Sequence, residues 1–137
     1  MIILDTNVIS ELYKRKPNAN VVNWIKQQPE SSLRLSSITA AELLYGLGLM
    51  PNGKKKQDLA RLISLTLLKY NGRISPFDSN AAIMYAEIAA QRKHAGHNVG
   101  ICDTQIAGIA KSRETAIATR NVKDFADTGV EIINPWD

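Results

Sequence analysis

One cysteine and two histidines are all the thiolate and imidazole that this 137-residue chain offers a metal ion. Cys102 alone can form no internal disulfide and fits no metal-binding spacing, so it reads as a small packing residue. His94 and His97 stand three apart near a glycine, but nothing completes a zinc site and both are expected to be solvated. Aromatic residues make up only 6% of the chain, and Trp24 and Tyr45 fall on expected packing faces. That argues against an extended stacking platform for single-stranded nucleic acid. No apolar run approaches the roughly 18 residues of a membrane span. Asp5 interrupts the N-terminal run before it could serve as a signal peptide, so a cytoplasmic protein without a membrane partner is expected. Low-complexity tracts and fixed-period repeats are also missing.

The composition that remains is ordinary for a globular chain, with 45% apolar and 22% charged residues. Residues 1–137 fit one domain, a length that buries roughly two thirds of the surface an unfolded chain exposes. Seventeen Lys and Arg oppose thirteen Asp and Glu, a formal charge of +4. If three acids gather in one pocket, the rest of the surface carries seventeen basic groups against ten acids. Such a surface attracts polyanions without regard to their sequence, although a mildly basic protein needs no nucleic-acid partner.

The order of elements follows from hydrophobic spacing and punctuation. Ile2, Ile3 and Leu4 form an apolar run without alternation, as in a strand covered on both faces, and it ends in Asp5. Helices are expected over 6–14 and 19–28, the second carrying Val21, Trp24 and Ile25 on one face. A strand over 33–36 precedes Thr39-Ala40-Ala41-Glu42, which has the form of a capping box opening the next helix. Pro51-Asn52-Gly53 breaks that helix, and Lys54, Lys55 and Lys56 begin a long one. Three lysines in a first turn oppose the helix dipole, so they are either solvated or turned towards phosphates. An extended stretch over 73–77 leads to Asp78, the cap of a helix reaching His94 and ending at Gly96. Asp103 opens a helix with Ile106, Ile109 and Ala110 on one side, and strands are expected over 115–119 and 130–133. Alternation of strands and helices predicts an α/β fold, a three-layer α/β/α sandwich around a mostly parallel sheet.

In a parallel sheet all strand-to-helix joints lie on one edge, where ligands bind. Asp5, Glu42 and Asp103 each belong to such a joint, and Asn121 and Asp124 follow the strand over 115–119. Each acid also has a local explanation as a helix cap. Thr6 and Asn7 beside Asp5 can orient carboxylates, and the small residues around Asp103 let backbone approach closely. Carboxylates gathered without a cation resist joint ionisation, and a divalent ion with oxygen ligands, Mg²⁺ or Mn²⁺, resolves the conflict.

The stretches Ile3-Leu4-Asp5-Thr6-Asn7-Val8-Ile9-Ser10, Ser36-Ser37-Ile38-Thr39-Ala40-Ala41-Glu42-Leu43, Asp103-Thr104-Gln105-Ile106-Ala107-Gly108 and Ala118-Thr119-Arg120-Asn121-Val122-Lys123-Asp124-Phe125, followed by Asn134-Pro135-Trp136, together resemble PIN-domain ribonucleases of the VapC toxin class, near the FitB-like branch. The resemblance spans nearly the whole chain. It implies a compact α/β/α domain, metal-dependent RNA cleavage, a homodimer and inhibition by a small antitoxin protein. It makes Asp5 and Asp103 the principal metal ligands and Glu42 the third acid, and it leaves the fourth position to either Asn121 or Asp124.

The chemistry expected is hydrolysis of an RNA phosphodiester with one or two ions, the second about 3.5–4 Å from the first. Glu42 would bind metal through water or orient the nucleophile. Thr6 and Thr119 are candidate donors to the acids, and Arg120 a candidate phosphate contact, with Lys54, Lys55 and Lys56 as further candidates for substrate binding. Two other classes compete. One is a phosphatase using Asp5 as nucleophile, which is disfavoured because Asn7 stands where a second aspartate is needed. The other is a catalytically weakened RNA-binding or interaction module, which an absent fourth acid would favour.

Overall fold

Strand β1 (Ile2–Leu4) is the middle strand of a five-stranded sheet in which every pairing is parallel. The computed structural model describes residues 1–137. Along the chain follow α1 (Thr6–Leu12), α2 (Ala19–Gln27), β2 (Leu33–Ser36), α3 (Ser37–Gly48), α4 (Lys54–Lys69), β3 (Ile74–Ser75), α5 (Ser79–His94), α6 (Ile101–Ser112), β4 (Ala116–Ala118) and β5 (Ile132–Ile133). Single 3₁₀ turns occupy Glu30–Ser32 and Val122–Phe125. The strand order is β3-β2-β1-β4-β5, with Ile2 beside both Leu33 and Ala116.

Successive side chains of a strand point to opposite faces, and β1 sends Leu4 and Ile3 into two different cores. Leu4 joins Val8, Ile9, Val21, Leu35, Leu43 and Ile63, so α1 to α4 cover one face. Ile3 joins Ala81, Ile88, Ile106, Ile109 and Ile117, so α5 and α6 cover the other. Both Ile3 and Leu4 are fully buried, the condition that the uninterrupted apolar run implied. The three-layer α/β/α arrangement expected from the alternation is therefore present.

Several local expectations are corrected. Helix α3 starts at Ser37 and is capped by Ser36, whose hydroxyl accepts from the Thr39 N–H at 3.1 Å. Thr39-Ala40-Ala41-Glu42 is thus not a capping box; a serine three residues earlier takes that role where β2 turns directly into the helix. Helix α1 stops at Leu12 instead of reaching Lys14, and the pairing of the last strand is confined to Ile132–Ile133. Tyr45 is 70% exposed instead of packed, and Cys102 is an exposed thiol, not a packing residue. Trp24 does pack against the first core.

Candidate active site

Asp5 leaves the carboxyl end of β1 as the N-cap of α1, with only 4% of its surface exposed. Its carboxylate accepts from the Thr6 N–H at 2.8 Å, from the Thr119 hydroxyl at 2.8 Å and from the Asn7 amide at 3.2 Å. Asn7 also donates to Thr119 Oγ1 at 3.0 Å and accepts from the Arg120 N–H at 3.3 Å. Residues 5–7 are thereby tied to the end of β4 across the sheet edge. Burial pushes the Asp5 carboxyl above its usual range, against the pull of the Thr119 and Thr6 bonds, and the charges of Glu42 and Asp124 add to the rise.

Glu42 sits in the second turn of α3, and its position is fixed by α1. Thr6 Oγ1 lies 2.8 Å from Glu42 Oε1 and 2.9 Å from Thr39 Oγ1. With one hydroxyl proton to give, Thr6 can donate to only one of them at a time. Asp103 lies in the first turn of α6, where the helix dipole favours an anion. Its carboxyl is nonetheless pushed up to about 6, first by desolvation and then by Asp5, Asp124 and Glu42, with Arg92 pulling the other way. A Cβ at Gly100 would stand in ordinary contact with it, 3.4 Å from Asp103 Oδ2.

These acids share a cleft of about 410 Å³ whose lining includes Asp5, Thr6, Asn7, Glu42 and Asp103 together with Lys14, Arg120 and Trp136. Trp136 is its one apolar residue. No three carboxylates converge tightly enough to hold an ion among themselves. The donors are all oxygen, and Asp103 is disfavoured as an anion until positive charge comes near. Such a set fits a hard divalent cation that keeps several waters and takes one or two protein carboxylates.

The fourth corner is divided between two residues. Asn121 lines the cleft, and its N–H donates to Thr119 Oγ1 at 3.0 Å. Asp124, in the following 3₁₀ turn, is exposed and lies outside the cleft wall, yet its charge reaches both Asp5 and Asp103. Lys54, Lys55 and Lys56 do not line the cleft; Lys54 lies 3.7 Å from Asp58 and Lys56 reaches Asn52. His97 faces Asp127 at 3.3 Å, and the two histidines gather no further ligand.

Residues 2–131 match the PIN domain. The chain belongs to the PIN-domain family. It is 44% identical over 138 residues to VapC ribonuclease Y4jK of Sinorhizobium fredii, across 100% of this chain and 99% of the relative. Toxin FitB of Neisseria gonorrhoeae is 41% identical over 137 residues, with 99% of both chains covered. The crystal structure of FitAcB from Neisseria gonorrhoeae has a TM-score of 0.92 at 42% identity, again over 99% of each chain. The resemblance carried by the sequence motifs therefore holds.

This PIN domain contains one further charged group near the acids that sequence reasoning missed. Arg92, in the last turn of α5, is 7% exposed, and its Nη1 donates to the Asp124 carbonyl at 2.8 Å. Its Nε is buried without a partner. Arg92 thus pins the turn bearing Asp124 to α5 and offsets part of the acids' repulsion. Arg92→Gln is expected to lower the melting temperature, because the turn bearing Asp124 loses its tie to α5. Thermal unfolding checks it; an unchanged melting temperature would mean that the turn is held by other contacts.

Proposed function

We propose that the protein is an endoribonuclease that hydrolyses RNA phosphodiester bonds with Mg²⁺ or Mn²⁺, and that it is a toxin restrained by a small antitoxin protein. The observation that carries this reading is that Asp5, Glu42 and Asp103 line one cleft at the carboxyl edge of a parallel sheet. Asp5 and Asp103 would hold the ion, and Asp124 contributes charge from behind. A divalent cation, when bound, polarises a phosphoryl oxygen and makes water more acidic. Thr119 and Asn7 keep Asp5 in one orientation. Glu42, steadied at one oxygen by Thr6, would orient the attacking water with the other.

The restraint by an antitoxin and the formation of a homodimer rest on the likeness to the FitB toxin. Both need surface to cover, and Leu62, Leu65 and Leu68 on α4 and Leu44, Tyr45 and Leu49 at α3 leave apolar side chains exposed. The deciding experiment is incubation of total RNA with purified, antitoxin-free protein and mapping of the cut ends. Cleavage that needs Mg²⁺ or Mn²⁺ and disappears in Asp5→Asn is the expected result. Intact RNA with either ion present would instead favour a PIN-like module that binds without cutting.

A further inference from the structure

The acids occupy only part of the cleft. Its lining also includes Lys14, Arg120 and Glu11, together with the single apolar residue, Trp136. The Arg120 guanidinium lies 5.4 Å above the Trp136 ring, and the Arg120 N–H donates to Asn7, which itself holds Asp5. Arg120 is therefore restrained at both ends relative to the acids. It shares the cleft with Asp5, Glu42 and Asp103 yet bridges to none of them. Lys14, which also lines the cleft, is already engaged: its Nζ lies 2.9 Å from Glu11 Oε1, and Glu11, which also accepts from the Asn18 N–H, is held below the usual carboxylate range first by Lys14, with the Arg120 charge adding a smaller pull. Arg120 is thus the cation lining the cleft with no carboxylate within ion-pair distance, and it rests against an aromatic face that leaves its charge intact.

We propose that Arg120, held in place by Trp136, binds the RNA phosphate adjoining the one that is cleaved, so that this part of the cleft is the subsite for a neighbouring nucleotide. The inference rests on the reading that the cleft accepts RNA. Guanidinium and phosphate match in geometry, and an arginine already restrained loses less freedom on binding. Trp136 is a positioning residue here, acting through Arg120.

The test uses a short 2′-O-methyl oligoribonucleotide, which resists cleavage, and measures its affinity by fluorescence anisotropy across a salt series. Arg120→Gln is expected to weaken binding about 5-fold or more and to flatten the log–log salt slope by about 0.7, the change for one lost contact to a single strand. Trp136→Leu should weaken binding in the native background and add little in the Arg120→Gln background, while Trp136→Phe restores most of the affinity. An unchanged slope in Arg120→Gln, or a full Trp136→Leu effect without Arg120, would overturn the proposal. Melting temperatures exclude unfolding, and Arg120→Lys, which keeps the charge, should keep the slope. Probe binding with this pattern but no cleavage of natural RNA would sink the nuclease reading and support the subsite; cleavage with an unchanged slope would sink the subsite alone.

Discussion

Asp103→Asn is expected to reduce RNA cleavage about 100-fold or more while raising the melting temperature of the metal-free protein at neutral pH. The loss follows from removing a proposed metal ligand: a bound cation contributes several kcal/mol to the transition state, and each 1.4 kcal/mol is about tenfold in rate. The gain in stability has a separate cause. The Asp103 carboxyl is pushed up to about 6 by desolvation and by Asp5, Asp124 and Glu42. As an anion it is less comfortable folded than unfolded, and an amide of nearly the same shape removes that penalty.

The direction with pH follows from linkage. A carboxyl whose folded pKa is raised contributes stability that is fully present below the unfolded value, near 4, and is lost as pH rises through the folded value. For Asp103 that window runs from about 4 to about 6. Asp5, also raised, acts in the same direction, but it is common to both proteins and cancels in the comparison. The difference in melting temperature between Asp103→Asn and the native protein should therefore be small near pH 4 and largest above about pH 7. Mn²⁺ should raise the native protein's melting temperature and close the gap, because bound ligand stabilises the folded state by mass action. A gap independent of pH, or one that Mn²⁺ leaves open, would show that Asp103 is not strained by its neighbours in the way the cleft implies.

How much of this was legible in the sequence depended on whether a residue's role is local. The β1 run announced a strand buried on both faces because Ile3 and Leu4 have no polar neighbour between them, and each does enter a separate core. Asp5 as an N-cap was readable for the same reason. The start of α3 was misread because Ser36 and Thr39 are both good caps three residues apart, and only the direct turn out of β2 selects the serine. Thr6 was readable as a donor to the acids, but that it serves Glu42, 36 residues away in the chain, follows from the packing of α1 against α3 and from no local pattern. Arg92 sits in Gln91-Arg92-Lys93-His94, which reads as the ordinary basic last turn of a helix; its burial comes from the return of the chain at Asp124. The choice between Asn121 and Asp124 was ambiguous for a physical reason, since one supplies the position in the cleft and the other the charge.

The largest effect on stability is expected at Gly108→Ala, where two opposing contributions can be weighed. Alanine is the better helix former by about 1 kcal/mol, and an open site would gain that much. Gly46 in α3 is such a site, with nothing within 4 Å of an added Cβ, and Gly46→Ala should be stabilising. At Gly108 in α6 the added Cβ would stand 2.8 Å from the Ala81 carbonyl oxygen, 3.0 Å from the Tyr85 nitrogen and 3.1 Å from the Tyr85 Cα. All three are backbone atoms of α5, so no side chain can swing aside and the helices themselves must separate. Overpacking of this kind costs about 1–3 kcal/mol or more, so after the helix preference a net loss of up to about 2 kcal/mol remains, a fall of up to about 8 °C in melting temperature. The site should suffer as well, because α6 carries Asp103 near its start and α5 carries Arg92 near its end. Gly108→Ala is therefore expected to lose both stability and divalent-ion affinity while Gly46→Ala loses neither. Equal melting temperatures for Gly108→Ala and the native protein would mean that the close approach of α5 and α6 is not what their packing depends on.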